Sequence, residues 1–210
     1  RRVKLKITPG WDVDPVKAVR TEFGDDLMLQ VDANGSYRPS DVDALRPLDD
    51  FGLRLIEQPF PADALLAHAG ARKSLRTPIC LDETVTSLQV AADALALKAC
   101  DVLSIKPGLV GGLRAATAIH DLAQGHGVDL FCGGMLETGV GRAANVALAS
   151  LPGFTLPGDL SPSRRWFADD ITAPLEMIDG SIPVPTGPGI GVDPDADALE
   201  TFTVSRDTVR

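Results

Sequence analysis

The chain has 210 residues and a formal net charge of −9, from 20 Lys+Arg against 29 Asp+Glu. That length allows one large core or two small ones, and an acidic balance without any basic run argues against a nucleic-acid surface. No apolar stretch approaches the roughly 20 residues of a membrane span, and Arg1-Arg2-Val3-Lys4 lacks the apolar centre of a signal peptide.

In chain order, strand and helix alternate with little slack. Residues 3–7 read as a strand, Pro9-Gly10 as a turn, and Asp12 or Asp14 can cap a helix to about Phe23, with Pro15 in its first turn. A strand over 27–33 ends at the Asn34-Gly35 turn signal, and Ser40 can cap a helix to about Leu48. The run Leu53-Arg54-Leu55-Ile56-Glu57-Gln58-Pro59 is a short buried strand stopped by proline, and Asp63 leads into a helix over 64–75. A strand over 78–82 precedes an alanine-rich helix capped by Ser87 and running to Lys98. A strand over 102–106 leads through Pro107–Gly112 to a helix over 113–124, and a strand over 128–132 ends in Gly133-Gly134. A helix over 140–149 and a last short strand over 154–156 complete the pattern. The three cysteines, Cys80, Cys100 and Cys132, are odd in number and lack a CxxC pair. They read as reduced core or near-core thiols of a cytoplasmic protein, a catalytic cysteine being the alternative.

Continuous apolar strands suit a sheet covered on both faces, and alternation with helices makes that sheet parallel. Units of about 25 residues fit a (β/α)-barrel of the TIM type. An open doubly wound sheet is the rival; it would gather its polar residues at one switch point. Here Lys6, Asp32, Glu57, Asp82 and Lys106 each close a successive apolar run, which favours the C-terminal mouth of a barrel. Only seven strands are visible, and after Arg164 the chain turns Pro/Gly-rich. Residues 1–163 are therefore expected to be barrel strands two to eight, and 164–210 a tail packing on the barrel and on a capping domain outside this sequence. An incomplete barrel would leave an open parallel edge.

Asp32, Glu57 and Asp82 at one mouth offer three hard oxygen ligands, and like charges so close call for a cation among them. All-oxygen ligation points to Mg²⁺, with Mn²⁺ as the alternative. Each acid alone could instead cap the helix that follows; three in phase favour the shared site. Lys6 and Lys106 stand on strands to either side, and salt bridges to the acids are their other reading. Crowded by Lys4 and a cation, Lys6 is suited to act as a base near neutral pH.

The set Lys4-x-Lys6, Val31-Asp32-Ala33-Asn34, Ile56-Glu57-Gln58-Pro59, Leu81-Asp82-Glu83 and Ile105-Lys106-Pro107 resembles the enolase superfamily, muconate-lactonizing-enzyme subgroup. Gly133-Gly134-Met135-Leu136-Glu137 and Leu156-Pro157-Gly158-Asp159 are most similar to o-succinylbenzoate synthases and N-succinylamino acid (N-acylamino acid) racemases. The resemblance implies a modified (β/α)7β barrel and Mg²⁺ (or Mn²⁺) on Asp32, Glu57 and Asp82. It also implies Lys6 and Lys106 as the acid/base pair. Lys4, Asn34, Glu83, Gly134, Met135 and Asp159 would be substrate-binding or supporting groups. The chemistry implied is removal of an α-proton from a small-molecule carboxylate through an enediolate, leading to dehydration or racemisation. A dipeptide epimerase, a muconate-type cycloisomerase and a non-catalytic barrel are the alternatives. A homo-oligomer with no nucleic-acid or membrane partner is expected.

Gly139-Val140-Gly141-Arg142-Ala143-Ala144 fits GxGxxA, but Met135–Thr138 separate it from its strand, against a dinucleotide site. His68, His120 and His126 end no strand and read as surface or packing residues. Gly108–Gly112 reads as a plain loop, with anion binding as the alternative.

Overall fold

A computed structural model describes residues 2–208. Six strands form one all-parallel sheet in the order β1-β2-β3-β4-β5-β6. They are Val3–Lys6, Leu29–Asp32, Ile56–Glu57, Ile79–Leu81, Val102–Ile105 and Asp129–Cys132. Sequential order with a helical crossover at each step curls the sheet into part of a (β/α) barrel. The crossovers are α1 (Val13–Phe23), a run of 3-10 turns (Pro39–Asp50), α2 (Leu65–Ser74), α3 (Leu88–Ala96), and α4 with α5 (Pro107–Val110, Leu113–His126). Helix α6 (Gly139–Ala149) follows β6, and α7 (Ala196–Phe202) lies in the tail. No helix among the described residues is long and apolar enough to cross a membrane.

Local chemistry explains most boundaries. The Asp12 carboxylate accepts from the Val13 amide to start α1, and Ser87 Oγ accepts from the Val90 amide to start α3. Gly127, in the left-handed region at φ 67°, closes α5. Three expectations need correction. The segment expected as an α-helix from Ser40 begins at Pro39 and stays in 3-10 turns; Pro47 inside it has no N–H to give to an α-helical ladder. Ala64, not Asp63, precedes the first turn of α2. The expected seventh strand at 154–156 is not a strand, although the Leu156 and Asp159 amides donate to Leu130 O and Cys132 O and so extend the sheet beyond β6.

The outward faces of the strands, including Leu29, Val31, Ile79, Leu81, Leu103 and Leu130, pack against the helices in two apolar clusters. The interior holds a third cluster of Leu55, Cys80, Val102 and Phe131, with Leu156 against it. All three cysteines are buried free thiols. Burial raises Cys80 well above the ordinary thiol value and pushes Cys100 and Cys132 up to about 12, so none is a ready nucleophile. Helix α6 holds the chain that follows it: the Arg142 guanidinium donates to Ser161 O, and the Gly139 amide donates to Asp170 Oδ1 in the tail.

Candidate active site

The side-chain period of a strand is two, so residues that follow the interior cluster by two share its face. Glu57 follows Leu55, Asp82 follows Cys80, Ser104 follows Val102 and Gly133 follows Phe131. The strand register accounts for the remaining positions. Lys6 is opposite Asp32, and Asp32 is opposite Glu57. Glu57 is opposite Cys80, so Asp82 stands two residues further along β4; Leu81 is opposite Leu103, so Lys106 stands two residues beyond the partner of Asp82. The offsets between successive charged residues are thus zero, zero, two and two. Even offsets keep all five side chains on the interior face, and a mean stagger of about one residue per strand is what a closed (β/α)8 barrel requires. The drift of the sequence spacing from 26 to 24 residues reflects crossover length and stagger together.

The structure brings these residues together in two linked groups. In the first, the Lys4 ammonium lies 3.1 Å from Asp32 Oδ2, 3.0 Å from both Glu57 oxygens and 2.9 Å from Asp159 Oδ2. Gln30 Nε2 donates to Glu57 Oε2, and Arg2 in turn donates to Gln30 Oε1. Lys6 Nζ donates to Asp32 Oδ2 and to Asn34 Oδ1, both at 2.6 Å, and Asn34 Nδ2 donates to Glu83 Oε1 at 2.8 Å. In the second group, Lys106 Nζ donates to Asp82 Oδ2 at 2.6 Å, leaving Asp82 Oδ1 buried without a partner. Asp32 and Glu57 therefore meet at Lys4, whereas Asp82 meets Lys106. The two catalytic candidates differ in exposure: the Lys6 side chain is 64% exposed and that of Lys106 14%.

The electrostatics follow from an excess of buried acid. Burial pushes Glu57 up to about 8; Lys4 pulls against this, and the neighbouring Asp32 and Asp82 reinforce it. Burial also disfavours charge on Lys4, yet Glu57, Asp159 and Asp32 hold its pKa above the ordinary lysine value. The two upward shifts agree: a cluster short of positive charge retains protons on both partners. For Asp32, burial is outweighed by Lys4 and by hydrogen bonds from Lys6 and the Asn34 amide, so its pKa falls. Asp159 falls likewise, against burial, through Lys4 and Arg2. Burial opposes charge on Lys106, but Asp82 raises its pKa and keeps it an ammonium. The Asp82 Oδ1 orphan and the all-oxygen donor set have the chemistry a hard divalent cation requires, but with Asp32 and Glu57 drawn to Lys4 and Asp82 to Lys106, no three such groups among the described residues stand together as a metal site.

Gly134 lets the chain leaving β6 pass close to the segment that follows α6: a Cβ there would lie 2.0 Å from Asp159 O. Met135 exposes its side chain, while its amide donates to both oxygens of Glu137. Of the other motifs, Gly139 opens α6 against Asp170, and His68 and His120 are buried. Several supporting residues had no reading in the sequence. Arg2 and Gln30 precede site positions by short even steps, a phase signal that could have found them. Gln58 and Arg142, both buried, act through backbone contacts that no spacing announces.

Residues 1–198 match the family described as enolase C-terminal domain-like. The chain is 55% identical over 205 residues to the N-succinylamino acid racemase of Amycolatopsis sp, covering 98% of this chain and 56% of that protein. It is 47% identical over 208 residues to the o-succinylbenzoate synthase of Bacillus subtilis (strain 168), covering 99% and 56%. The crystal structure of an enolase-superfamily member from Listeria innocua Clip11262 superimposes with a TM-score of 0.92 at 42% identity, covering 97% of this chain and 55% of that one. The chain thus spans about half the length of the curated relatives it matches. Strand-end charges on one interior face, in this order and at this level of identity, make the chain a member of the enolase superfamily, within its enolase C-terminal domain-like family.

Proposed function

We propose that this chain carries the acid–base and cation-binding residues of an enzyme that removes the α-proton of a carboxylate substrate through an enediolate. The reaction class is o-succinylbenzoate synthesis by dehydration, N-succinylamino acid racemisation, or both. The observation that carries this reading is the placement of two lysines on the same interior face, each paired with a different acid: Lys6 with Asp32 and Lys106 with Asp82. Asp32, Glu57 and Asp82 would hold Mg²⁺ or Mn²⁺, which when bound would supply positive charge to the substrate carboxylate.

The residues divide the work. Lys6, more exposed and oriented by Asn34, is placed to take a proton from one face of an α-carbon. Lys106, held as an ammonium, is placed to stabilise developing charge or to return a proton from the other face. Lys4 balances the buried acids, and Gly134 with Met135 borders the mouth. Asp159 is engaged by Lys4 at 2.9 Å, which leaves it poorly placed to bind a dipeptide's ammonium group.

Deuterium exchange tests the division. In the intact protein with an N-succinylamino acid in D₂O, Lys6→Ala and Lys106→Ala should each abolish racemisation. Each variant should keep α-proton exchange for one enantiomer, and the two variants should keep opposite ones. Continued racemisation by Lys106→Ala, or exchange of the same enantiomer by both variants, would rule out two bases on opposite faces.

A further inference from the structure

Gln58 follows Glu57 and is fully buried, and its backbone sits in the left-handed region at φ 39°, where residues other than glycine are uncommon. Pro59 follows it directly. A non-glycine residue persists in such a conformation only when its surroundings fix it, and here every polar group of the residue is engaged. Its amide donates to Cys80 O at 2.8 Å, on β4, and its carbonyl accepts from the Gly35 amide at 2.7 Å, just past Asp32 on the β2 side. Side-chain Oε1 accepts from the amides of Asp82 at 2.9 Å and Thr84 at 3.3 Å. Side-chain Nε2 donates to Phe60 O at 3.0 Å and Thr84 Oγ1 at 2.8 Å.

The orientation of the amide is fixed as well. His68 Nδ1 lies 3.0 Å from Ala64 O and is the donor there, which leaves Nε2 as an acceptor facing Phe60 N and Gln58 Nε2, each at 3.4 Å. Rotating the Gln58 amide by half a turn would set its NH₂ against two backbone donors and its oxygen against Phe60 O. One side chain and one strained peptide unit therefore tie together the ends of β2, β3 and β4, the three strands that deliver Asp32, Glu57 and Asp82.

We propose that Gln58 is a positioning residue that sets Asp82 against Asp32 and Glu57 and, through the Asp82–Lys106 pair, places Lys106. The inference rests on the functional reading above, but its physical core is the tie itself. Groups that orient a ligating carboxylate typically change cation affinity by about 10- to 100-fold when removed. A residue that only stabilised the fold would alter the melting temperature and leave cation affinity in the folded protein unchanged.

The test uses the intact protein with Gln58→Met, which keeps the volume and loses the side-chain hydrogen bonds, and Gln58→Glu, which, protonated in this acid-rich interior, keeps both acceptor bonds and still donates to Phe60 O. Hydrogen exchange at the Asp82 and Thr84 amides needs neither cation nor substrate. It should quicken at least tenfold in Gln58→Met and stay near wild type in Gln58→Glu. Mn²⁺ affinity, read by paramagnetic resonance of the free ion, should fall about 10- to 100-fold in Gln58→Met and recover in large part in Gln58→Glu. Unchanged amide exchange in Gln58→Met overturns the tie, and so does equal loss of protection in both variants. Faster exchange with Mn²⁺ affinity within twofold of wild type reduces Gln58 to a structural residue and overturns the positioning role. A wild-type protein that binds no Mn²⁺ defeats the functional reading instead, and amide exchange then decides the tie alone.

Discussion

Lys4 reaches both oxygens of Glu57 at 3.0 Å, on a strand two removed from its own. The span is possible because the β2 residue between them at that level is Gln30, which donates to Glu57 from the same side. The Lys4 ammonium balances a fully buried glutamate that also faces the charges of Asp32 and Asp82. Removing one partner of a buried pair costs about 3–5 kcal/mol, because the other is left uncompensated. Lys4→Met should therefore lower the unfolding free energy by about 3 kcal/mol above pH 8, where Glu57 is ionised, and by less at pH 7, and millimolar MgCl₂ should restore much of the loss by binding the folded state. Urea titrations with and without the salt measure both effects. A variant as stable as wild type would refute the balancing role.

The carboxylates should not be interchangeable with amides. Asp32→Asn, Glu57→Gln and Asp82→Asn each remove a charged oxygen donor and should each weaken divalent-cation binding about 100-fold in calorimetric titration. Equal Mg²⁺ affinity in all three variants and wild type would dismiss the site. The apo proteins should diverge: Glu57→Gln removes a charge that burial already disfavours and is expected to be the best tolerated of the three.

Two adjacent glycines should fail in different ways. At Gly134 an added Cβ meets Asp159 O at 2.0 Å, a backbone atom that cannot rotate away, so Gly134→Ala should separate the two loops and lower the melting temperature by several degrees. At Gly133 the obstacle is Ser104 Oγ and the Lys106 side chain, at 2.5 and 2.7 Å. A side chain can yield, so Gly133→Ala should fold but displace the Lys106 ammonium. A shift of about 1 Å can cost about 100-fold in rate. The loss is expected chiefly in α-proton exchange on the Lys106 face; equal loss on both faces would contradict it.

His68 gives the protein an acid-sensitive contact away from the charged cluster. Burial lowers its pKa from 6.5 to about 4, against hydrogen bonds to Ala64 and Phe60. The unfolded chain thus takes up a proton below pH 6.5 that the folded chain refuses down to about pH 4. The stability due to His68 is complete above pH 6.5 and is lost as the pH falls through that window, on the order of 3 kcal/mol. Chemical denaturation from pH 7 to 4 should show a smaller decline in His68→Gln. Parallel curves for the two proteins would refute the assignment.

The barrel architecture and the charged residues at the strand ends were legible in the sequence because both depend on local periodicity. A short apolar run ending in a charge marks a strand delivering a polar group to the mouth, and the phase from Lys6 to Lys106 was visible by counting. Even the supporting position of Lys4 follows from the period of two along β1. Local pattern misjudged the 3-10 segment around Pro47 and the segment at 154–156. The geometry of the first depends on a missing backbone donor, and the second joins the sheet through two hydrogen bonds without becoming a strand.

Only the tertiary structure decided how the charges share the interior. Sequence spacing puts Asp32, Glu57 and Asp82 at equivalent ends, but the register raises Asp82 two residues above the level of Glu57 and hands it to Lys106, while Lys4 settles between Asp32 and Glu57. Stagger between strands is set by barrel closure, a property of the whole sheet that no single strand encodes. The role of Gln58 was hidden for a related reason: its Oε1 accepts from the backbone amides of Asp82 and Thr84, 24 and 26 residues away. Backbone amides carry no side-chain identity in the sequence, so a contact made to them appears only when the chain is folded.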